Sequence, residues 1–188
     1  MQEKMNMLYK ANIVSQKFKT QCGRYVNNDT YAIYTNASCR NGRGGCAAVV
    51  CDKNGFKVYS MGYLKTTNNR MEIMAILEGL KKVPFNCNVI VLSDSQYVID
   101  IINKKNNIYK NKDLWDKLLR KIDTFNSFEI KYVRTHSGNK NMGNTLANHF
   151  AYKALNEHLI HDKSYEARLP KRKPKNKKSK NNKNKKGK

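Results

Sequence analysis

Short apolar runs separated by polar turns fill the middle of the chain and predict a sheet of five strands. An Asn-Gly pair in the segment Asp52–Gly55 predicts a tight hairpin, because Asn and Gly adopt positive φ at low cost. The first three strands are therefore expected to form an antiparallel meander. The predicted strands are Tyr31–Thr35, Cys46–Cys51, Phe56–Tyr63, Val89–Leu92 and Phe128–Val133.

Segments with helical spacing alternate with the later strands. The first, Thr66–Leu80, carries its start signal in Thr67 and Asn68. This order predicts an α/β fold, in which a mixed five-stranded sheet of three antiparallel strands and parallel additions is flanked by helices. The other predicted helices are Gln96–Ile102, Asp113–Ile122 and Asn144–His158.

Charge divides the chain into a folded part and a tail. Of the net charge of +23 over 188 residues, eleven positive charges lie in Lys171–Lys188, which has no acidic residue. We expect an N-terminal extension at 1–28, one domain at 29–160 and a disordered Lys/Asn-rich tail at 161–188. Because the folded part is also basic, nucleic acid is the expected partner. The plain alternative is that the tail only aids solubility.

Cysteine and histidine usage excludes a zinc site and favours a reducing compartment. The five cysteines are odd in number and have no paired metal-ligand spacing. No apolar run approaches membrane-spanning length, so no membrane association is expected. We expect an intracellular protein, with cytoplasm, nucleoid and organelle all left open.

The first strand is expected to end at Thr35 and to deliver Asn36 to the edge of the sheet. Open α/β sheets place their sites where strands end. A metal or acid-base site would have a carboxylate at such a position, whereas Asn36 is an amide.

Four motifs, in order, resemble the type 1 ribonuclease H family. They are Tyr34–Cys39 with the glycine loop Asn41–Gly45, Thr66–Glu72, Leu92–Tyr97, and His136–Gly138 followed by Gly143–Asn148. The resemblance spans about residues 31–155. It implies the ribonuclease H-like fold and the cleavage of RNA in RNA/DNA hybrids.

In that family, four carboxylates hold two Mg²⁺ (or Mn²⁺) ions. The resemblance implies that Glu72 and Asp94 keep their carboxylates, that Asn36 and Asn148 replace aspartates, and that His136 transfers protons. Two divalent ions prefer anionic oxygen ligands, and two neutral amides leave half of their charge unmet. We therefore expect a weakened metal site at Glu72 and Asp94, with hydrolysis lost or crippled.

The resemblance also implies contacts to nucleic acid by polar residues around these motifs. Plainer roles stay open: the residues near helix starts could only cap, and the lysines could only be a solvated loop. The residues concerned are Cys39, Asn41, Thr67, Asn68, Asn69, Gln96, Lys104 and Lys105.

Two functions remain open at this stage. The first is an RNA/DNA hybrid-binding ribonuclease H domain whose two asparagines are replacements in an otherwise intact site. The second is a pseudoenzyme, a non-catalytic RNA-binding subunit of a large ribonucleoprotein such as a ribosome or mitoribosome, whose partner is structured RNA. A subunit of that kind would have its groove blocked, whereas a hybrid binder would keep it usable.

Overall fold

A mixed six-stranded sheet forms the centre of the protein in a computed structural model, which describes residues 18, 21–134, 141–157 and 159–170. The spatial order of the strands is β5-β4-β1-β2-β3-β6. The pairs β1–β2 and β2–β3 are antiparallel, and β1–β4, β4–β5 and β3–β6 are parallel. The strands are β1 (Thr30–Arg40), β2 (Arg43–Asp52), β3 (Gly55–Tyr63), β4 (Asn88–Ser93), β5 (Ser127–Tyr132) and β6 (Leu159–Ile160).

Helices cover both faces of the sheet. The helices are α1 (Asn68–Leu80), α2 (Gln96–Ile102), α3 (Lys112–Ile122), α4 (Met142–Ala154) and the short α5 (Lys163–Glu166). On one face, apolar side chains of α1, α2 and α3 pack against Ile33 of β1, with Trp115 fully buried. On the other face, Ala147 of α4 and the N-terminal Phe18 pack against Tyr34. The central strands are thus buried on both faces, which is why their sequences are nearly continuous apolar runs.

The predicted mixed α/β sheet is confirmed, but the number of strands was wrong. The sixth strand, β6, has two residues, which is too few to produce an alternating pattern in the sequence. It forms because Leu159 and Ile160 pair with Gly62 and Tyr63 at the edge of β3. The last helix is also shifted, since α4 begins at Met142 and ends at Ala154.

The first strand does not break at Thr35–Asn36 as the sequence suggested. It continues to Arg40, because antiparallel pairing with β2 supplies hydrogen bonds beyond the point where β4 ends. Asn41 and Gly42, with φ of 53° and 78°, form a two-residue hairpin turn to Arg43.

Packing extends beyond both predicted domain boundaries, which themselves stay predictions. Phe18 and Cys22 are buried against the sheet on the N-terminal side. Asp162 is buried on the C-terminal side, where it binds Arg70. None of the helices in the described ranges is long and apolar enough to cross a bilayer.

Candidate functional site

Two parallel strands bring the first pair of site residues together. The pairing of β1 with β4 ends at Thr35 and Ser93, so that Asn36 and Asp94 follow side by side at the same edge of the sheet. The side-chain amide of Asn36 donates a hydrogen bond to Asp94 Oδ2 at 3.0 Å. Asn36 is buried, whereas Asp94 is partly accessible. The expected juxtaposition of the two sequence-predicted residues is therefore present.

The second turn of α1 presents Glu72 to this edge. Thr67 caps the helix, and its side chain accepts a hydrogen bond from Arg70 N at 3.4 Å. The side-chain amide of Asn68 donates a hydrogen bond to Oε1 of Glu72, one turn further along the helix, at 3.3 Å. The Glu72 side chain is buried, and its Oε2 has no hydrogen-bond partner among the described residues.

Burial and, to a smaller extent, the charge of Asp94 raise the pKa of Glu72 to about 8, although the hydrogen bond from Asn68 lowers it. The neutral carboxyl group is therefore favoured at neutral pH.

The N-terminal turn of α4 contributes a third polar side chain, that of Asn144. The Asn36 amide donates its second hydrogen bond to Asn144 Oδ1 at 3.3 Å. The start of α4 is fixed by Gln21, whose Oε1 accepts from Met142 N at 2.9 Å. It is also fixed by Gly143, where an added Cβ would collide with the ring of Tyr34. Asn144 is buried, and its Nδ2 lacks a hydrogen-bond partner in the described part of the chain.

Of the two amides in α4, it is Asn144 rather than the predicted Asn148 that contacts Asn36. Asn148 lies one turn further along α4, about 6 Å away at 1.5 Å per residue. Within the described ranges, it makes no hydrogen bond to Asn36 or Asp94. Sequence reasoning missed Asn144 although the motif Gly143–Asn148 contains both amides. The available signal was that Asn144 stands in the first turn of the helix, where a side chain can reach the end of β1.

Several residues that were predicted to contact nucleic acid lie close to Asn36 and Glu72 in the sequence. Thr67, Asn68 and Asn69 form the start of α1, where Asn68 also supports Glu72. Cys39 lies three residues after Asn36 on β1. Burial, and to a smaller extent the charge of Glu72, raise the pKa of its thiol to about 11.

The remaining predicted contacts lie further from the carboxylates or outside the described residues. Asn41 stands at the β1–β2 turn. Gln96 begins α2 and binds Asp100 at 2.7 Å, and the exposed Lys104 and Lys105 follow the end of that helix. His136 lies outside the described residues, as does the tail Lys171–Lys188.

The donor set does not fit a pair of divalent ions. Two Mg²⁺ bring four positive charges and prefer anionic oxygens, whereas Glu72 and Asp94 are the only side chains of the site within the described ranges that can supply carboxylates. No cluster of three His, Cys, Asp or Glu side chains suited to a metal occurs among the described residues. In addition, Asn36 turns its NH₂ group, a donor that cannot coordinate a cation, toward Asp94. The Asn36 amide therefore donates a hydrogen bond directly to Asp94. An aspartate at position 36 could not do so, and a cation would be needed between the two carboxylates.

Comparison with known proteins places the described domain in a family. Residues 28–156 match the family model described as RNase H. Ribonuclease HI of Haemophilus ducreyi is 37% identical over 149 residues, covering 71% of this chain and 95% of that protein. Proteins of this family generally use a divalent metal such as Mg²⁺.

Solved structures show the same fold at lower identity. The N-terminal RNase H domain of Rv2228c from Mycobacterium tuberculosis, a fusion with maltose binding protein, has a TM-score of 0.60 and 20% identity. It covers 68% of this chain and 94% of that chain. LC11-RNase H1 in complex with RNA/DNA hybrid has a TM-score of 0.56 and 19% identity, covering 66% of this chain and 99% of that chain.

Proposed function

Because the chain belongs to the RNase H family, we propose that it binds RNA/DNA hybrid across the edge of β1 and β4, with hydrolysis lost or severely reduced in this form. The family match covers residues 28–156, and a relative that is 37% identical is named as a ribonuclease HI. A neighbour of the same fold is itself in complex with hybrid. The net charge of +23 favours a polyanionic partner of this kind.

The observation that carries the proposal is the pair of hydrogen bonds from the Asn36 amide to Asp94 and Asn144, at 3.0 and 3.3 Å. Two of the four side chains at the site are neutral amides, and the Asn36 amide joins Asp94 to Asn144. Losing an electrostatic catalytic group removes about 4 kcal/mol of transition-state stabilisation, or roughly a thousandfold in rate. Two such losses at one site predict a rate lower by several powers of ten.

The test is cleavage of a labelled hybrid in Mg²⁺ or Mn²⁺ by the unaltered chain and by two paired variants. Asn36→Asp/Asn144→Asp supplies carboxylates at the two hydrogen-bonded positions. Asn36→Asp/Asn148→Asp makes the same change in charge but places the second carboxylate one turn along α4. We expect the first variant to cleave at least a hundredfold faster than the unaltered chain, and the second to remain close to it.

Each outcome of this test bears on a separate part of the proposal. Rapid Mg²⁺-dependent cleavage by the unaltered chain would overturn the predicted loss of hydrolysis. Recovery in the Asn148 variant rather than the Asn144 variant would return the fourth position to Asn148.

Binding is measured separately, by titrating the unaltered chain with matched RNA/DNA, double-stranded RNA and double-stranded DNA. Preference for the hybrid supports the proposal, and preference for structured RNA would instead support a non-catalytic ribonucleoprotein subunit.

A further inference from the structure

A basic pocket with a volume of about 510 Å³ lies beside the candidate site, between the tip of the β1–β2 hairpin and the C-terminal half of α4. Its size lies within the range of cavities that hold small ligands, about 300–1,000 Å³. The described residues that line it provide two guanidinium groups, one aromatic ring and no acidic side chain. The lining residues are Arg40, Asn41, Arg43, Tyr152, Leu155 and Asn156.

Backbone geometry brings the two sides of this pocket together. The two-residue turn at Asn41 and Gly42 places Arg40 directly opposite Arg43 at the end of the hairpin. Two residues later, Gly45 lies against α4, where an added Cβ would collide with the carbonyl oxygen of Ala151. The missing side chain at Gly45 therefore lets the helix approach the hairpin closely, and the next turn of α4 faces the two arginines.

The pocket offers unsatisfied binding groups. Arg40 and Arg43 are exposed, and within the described part of the chain neither forms an ion pair with a carboxylate. Tyr152 is 56% exposed although it carries a large aromatic side chain. Arginine is suited to phosphate because its planar fork of N–H donors matches the phosphate oxygens. An exposed tyrosine ring provides a surface on which an unpaired base can stack.

The pocket lies a short distance from the candidate site along two elements that run in the same direction. Four residues of β1 separate Asn36 from Arg40, which is about 13 Å at 3.3 Å per residue. Eight residues of α4 separate Asn144 from Tyr152, which is about 12 Å at 1.5 Å per residue. At about 3.4 Å per nucleotide, that distance corresponds to roughly four nucleotides of a stacked strand.

We propose that this pocket binds one unpaired nucleotide of a strand that leaves the RNA/DNA hybrid. The base stacks on Tyr152, the phosphate lies between Arg40 and Arg43, and the amide of Asn156 contacts the base edge. An unpaired nucleotide is required because a base within a duplex is stacked on its neighbours and cannot reach an aromatic ring. The inference rests on the proposed hybrid binding. It adds a preference for hybrids with a single-stranded overhang over blunt hybrids.

The test compares a blunt hybrid with four hybrids that each carry one short single-stranded overhang. The overhang extends the RNA strand or the DNA strand, at its 5′ or its 3′ end. Binding is measured by fluorescence anisotropy with the full chain at several salt concentrations. We expect at least one overhang to bind about fivefold or more tightly than the blunt hybrid, from the stacking of one base. The version that gains identifies the strand and end that enter the pocket.

Variants of the pocket test which side chains produce this gain. Tyr152→Ala should remove the overhang advantage, whereas Tyr152→Phe should retain it, because phenylalanine keeps the ring. Arg40→Gln/Arg43→Gln should weaken binding of the preferred overhang at least tenfold. It should also reduce the slope of log K against log salt by about 0.7, since the two arginines neutralise one phosphate of a single strand.

The matched control is Lys53→Gln/Lys57→Gln, which also removes two exposed positive charges. Lys53 follows the opposite end of β2, and Lys57 lies on β3 opposite Val50 of β2. Along the strand, these positions are about 33 Å and about 23 Å from Arg43 at 3.3 Å per residue. The control should leave the ratio of overhang to blunt affinity unchanged. All substituted side chains are largely exposed, and a thermal melt of each variant checks that the fold is retained.

The outcomes separate this inference from the proposed function. If the unaltered chain binds hybrid but gains nothing from any overhang, the pocket proposal is refuted and the proposed function stands. It is also refuted if the overhang advantage persists in the Tyr152→Ala and double arginine variants, or is lost equally in the lysine control. If the chain shows no preference for hybrid over the other duplexes, the proposed function itself fails.

Discussion

Replacing the buried Arg70 by methionine should lower the free energy of unfolding by about 3 kcal/mol or more. Arg70 is fully buried in α1, two residues before Glu72. Its Nε lies 2.7 Å from Asp162 Oδ2 and its Nη2 lies 3.0 Å from Asp113 Oδ2. Ser164 accepts a further hydrogen bond at 2.9 Å, and the ring of Tyr165 lies over the guanidinium at 5.4 Å. This one side chain thus attaches the C-terminal segment to α1.

The magnitude follows from the burial of the two acidic partners. Breaking a buried ion pair by removing one partner costs about 3–5 kcal/mol, because the other charge stays buried without compensation. The Asp162 side chain is 3% exposed and would keep only hydrogen bonds from uncharged donors such as Ser164 and Tyr165 N. Asp113, at 24%, can be hydrated in part. We therefore expect the lower end of the range. Methionine fills most of the aliphatic volume of arginine, so a cavity adds little.

Urea unfolding and thermal melting measure this cost. In a protein of this size, a loss of about 3 kcal/mol lowers Tm by roughly 6–12 °C. The midpoint in urea should fall without a change in the m-value, because the same surface is exposed on unfolding. Asp162→Asn and the double variant complete a thermodynamic cycle, in which the combined loss should be smaller than the sum by about 1–3 kcal/mol.

Two results would refute this reasoning. One is a loss of less than about 1 kcal/mol in Arg70→Met, which would mean that the ion pairs contribute no more than exposed ones do. The other is strict additivity with Asp162→Asn, which would show that the two side chains do not interact despite the short distance between them.

Three further predictions concern acid stability, thiol reactivity and the basic tail. Burial alone would raise the pKa of Asp113, but hydrogen bonds from Arg70, Ser164 and Arg168 outweigh it and hold that pKa well below its usual range. Its contribution to stability should therefore be complete above about pH 4 and be lost as the pH falls below that value. In Arg70→Met, the unfolding free energy should depend less steeply on pH in this range. Because the pKa of Cys39 is raised to about 11, iodoacetamide at pH 8 should alkylate this thiol in the folded protein roughly a hundredfold more slowly than in the protein unfolded in urea. Mass spectrometry measures both rates, and equal rates would contradict the raised pKa. Deletion of Lys171–Lys188 should weaken nucleic-acid binding and flatten its salt dependence, whereas an unchanged slope would exclude the tail from the interface.

Most elements of the fold could be predicted because their signals are local. The apolar run at Val89–Leu92 predicted β4, and the start signal at Thr67 predicted α1, whose cap is present in the structure. The candidate roles of Asp94 and Glu72, which lie next to these two signals, came from the resemblance of their motifs to the family. The Asn-Gly pair at Asn54 and Gly55 likewise predicted the second hairpin turn.

Other features depend on contacts between residues that are distant in the sequence. The two-residue strand β6 exists only because it pairs with the edge of β3, about 100 residues earlier. The continuation of β1 past Asn36 requires its pairing with β2, which overrides the polar character of the segment.

The chain by itself therefore determined the order of its helices and strands, its basic character and the presence of amides where carboxylates were expected. Only the tertiary structure shows which amide of α4 contacts Asn36. Asn144 and Asn148 are one turn apart and share a helix face, so their spacing does not distinguish them. The contacts of Gln21 and Tyr34 fix where α4 begins, and that starting point brings Asn144 to Asn36.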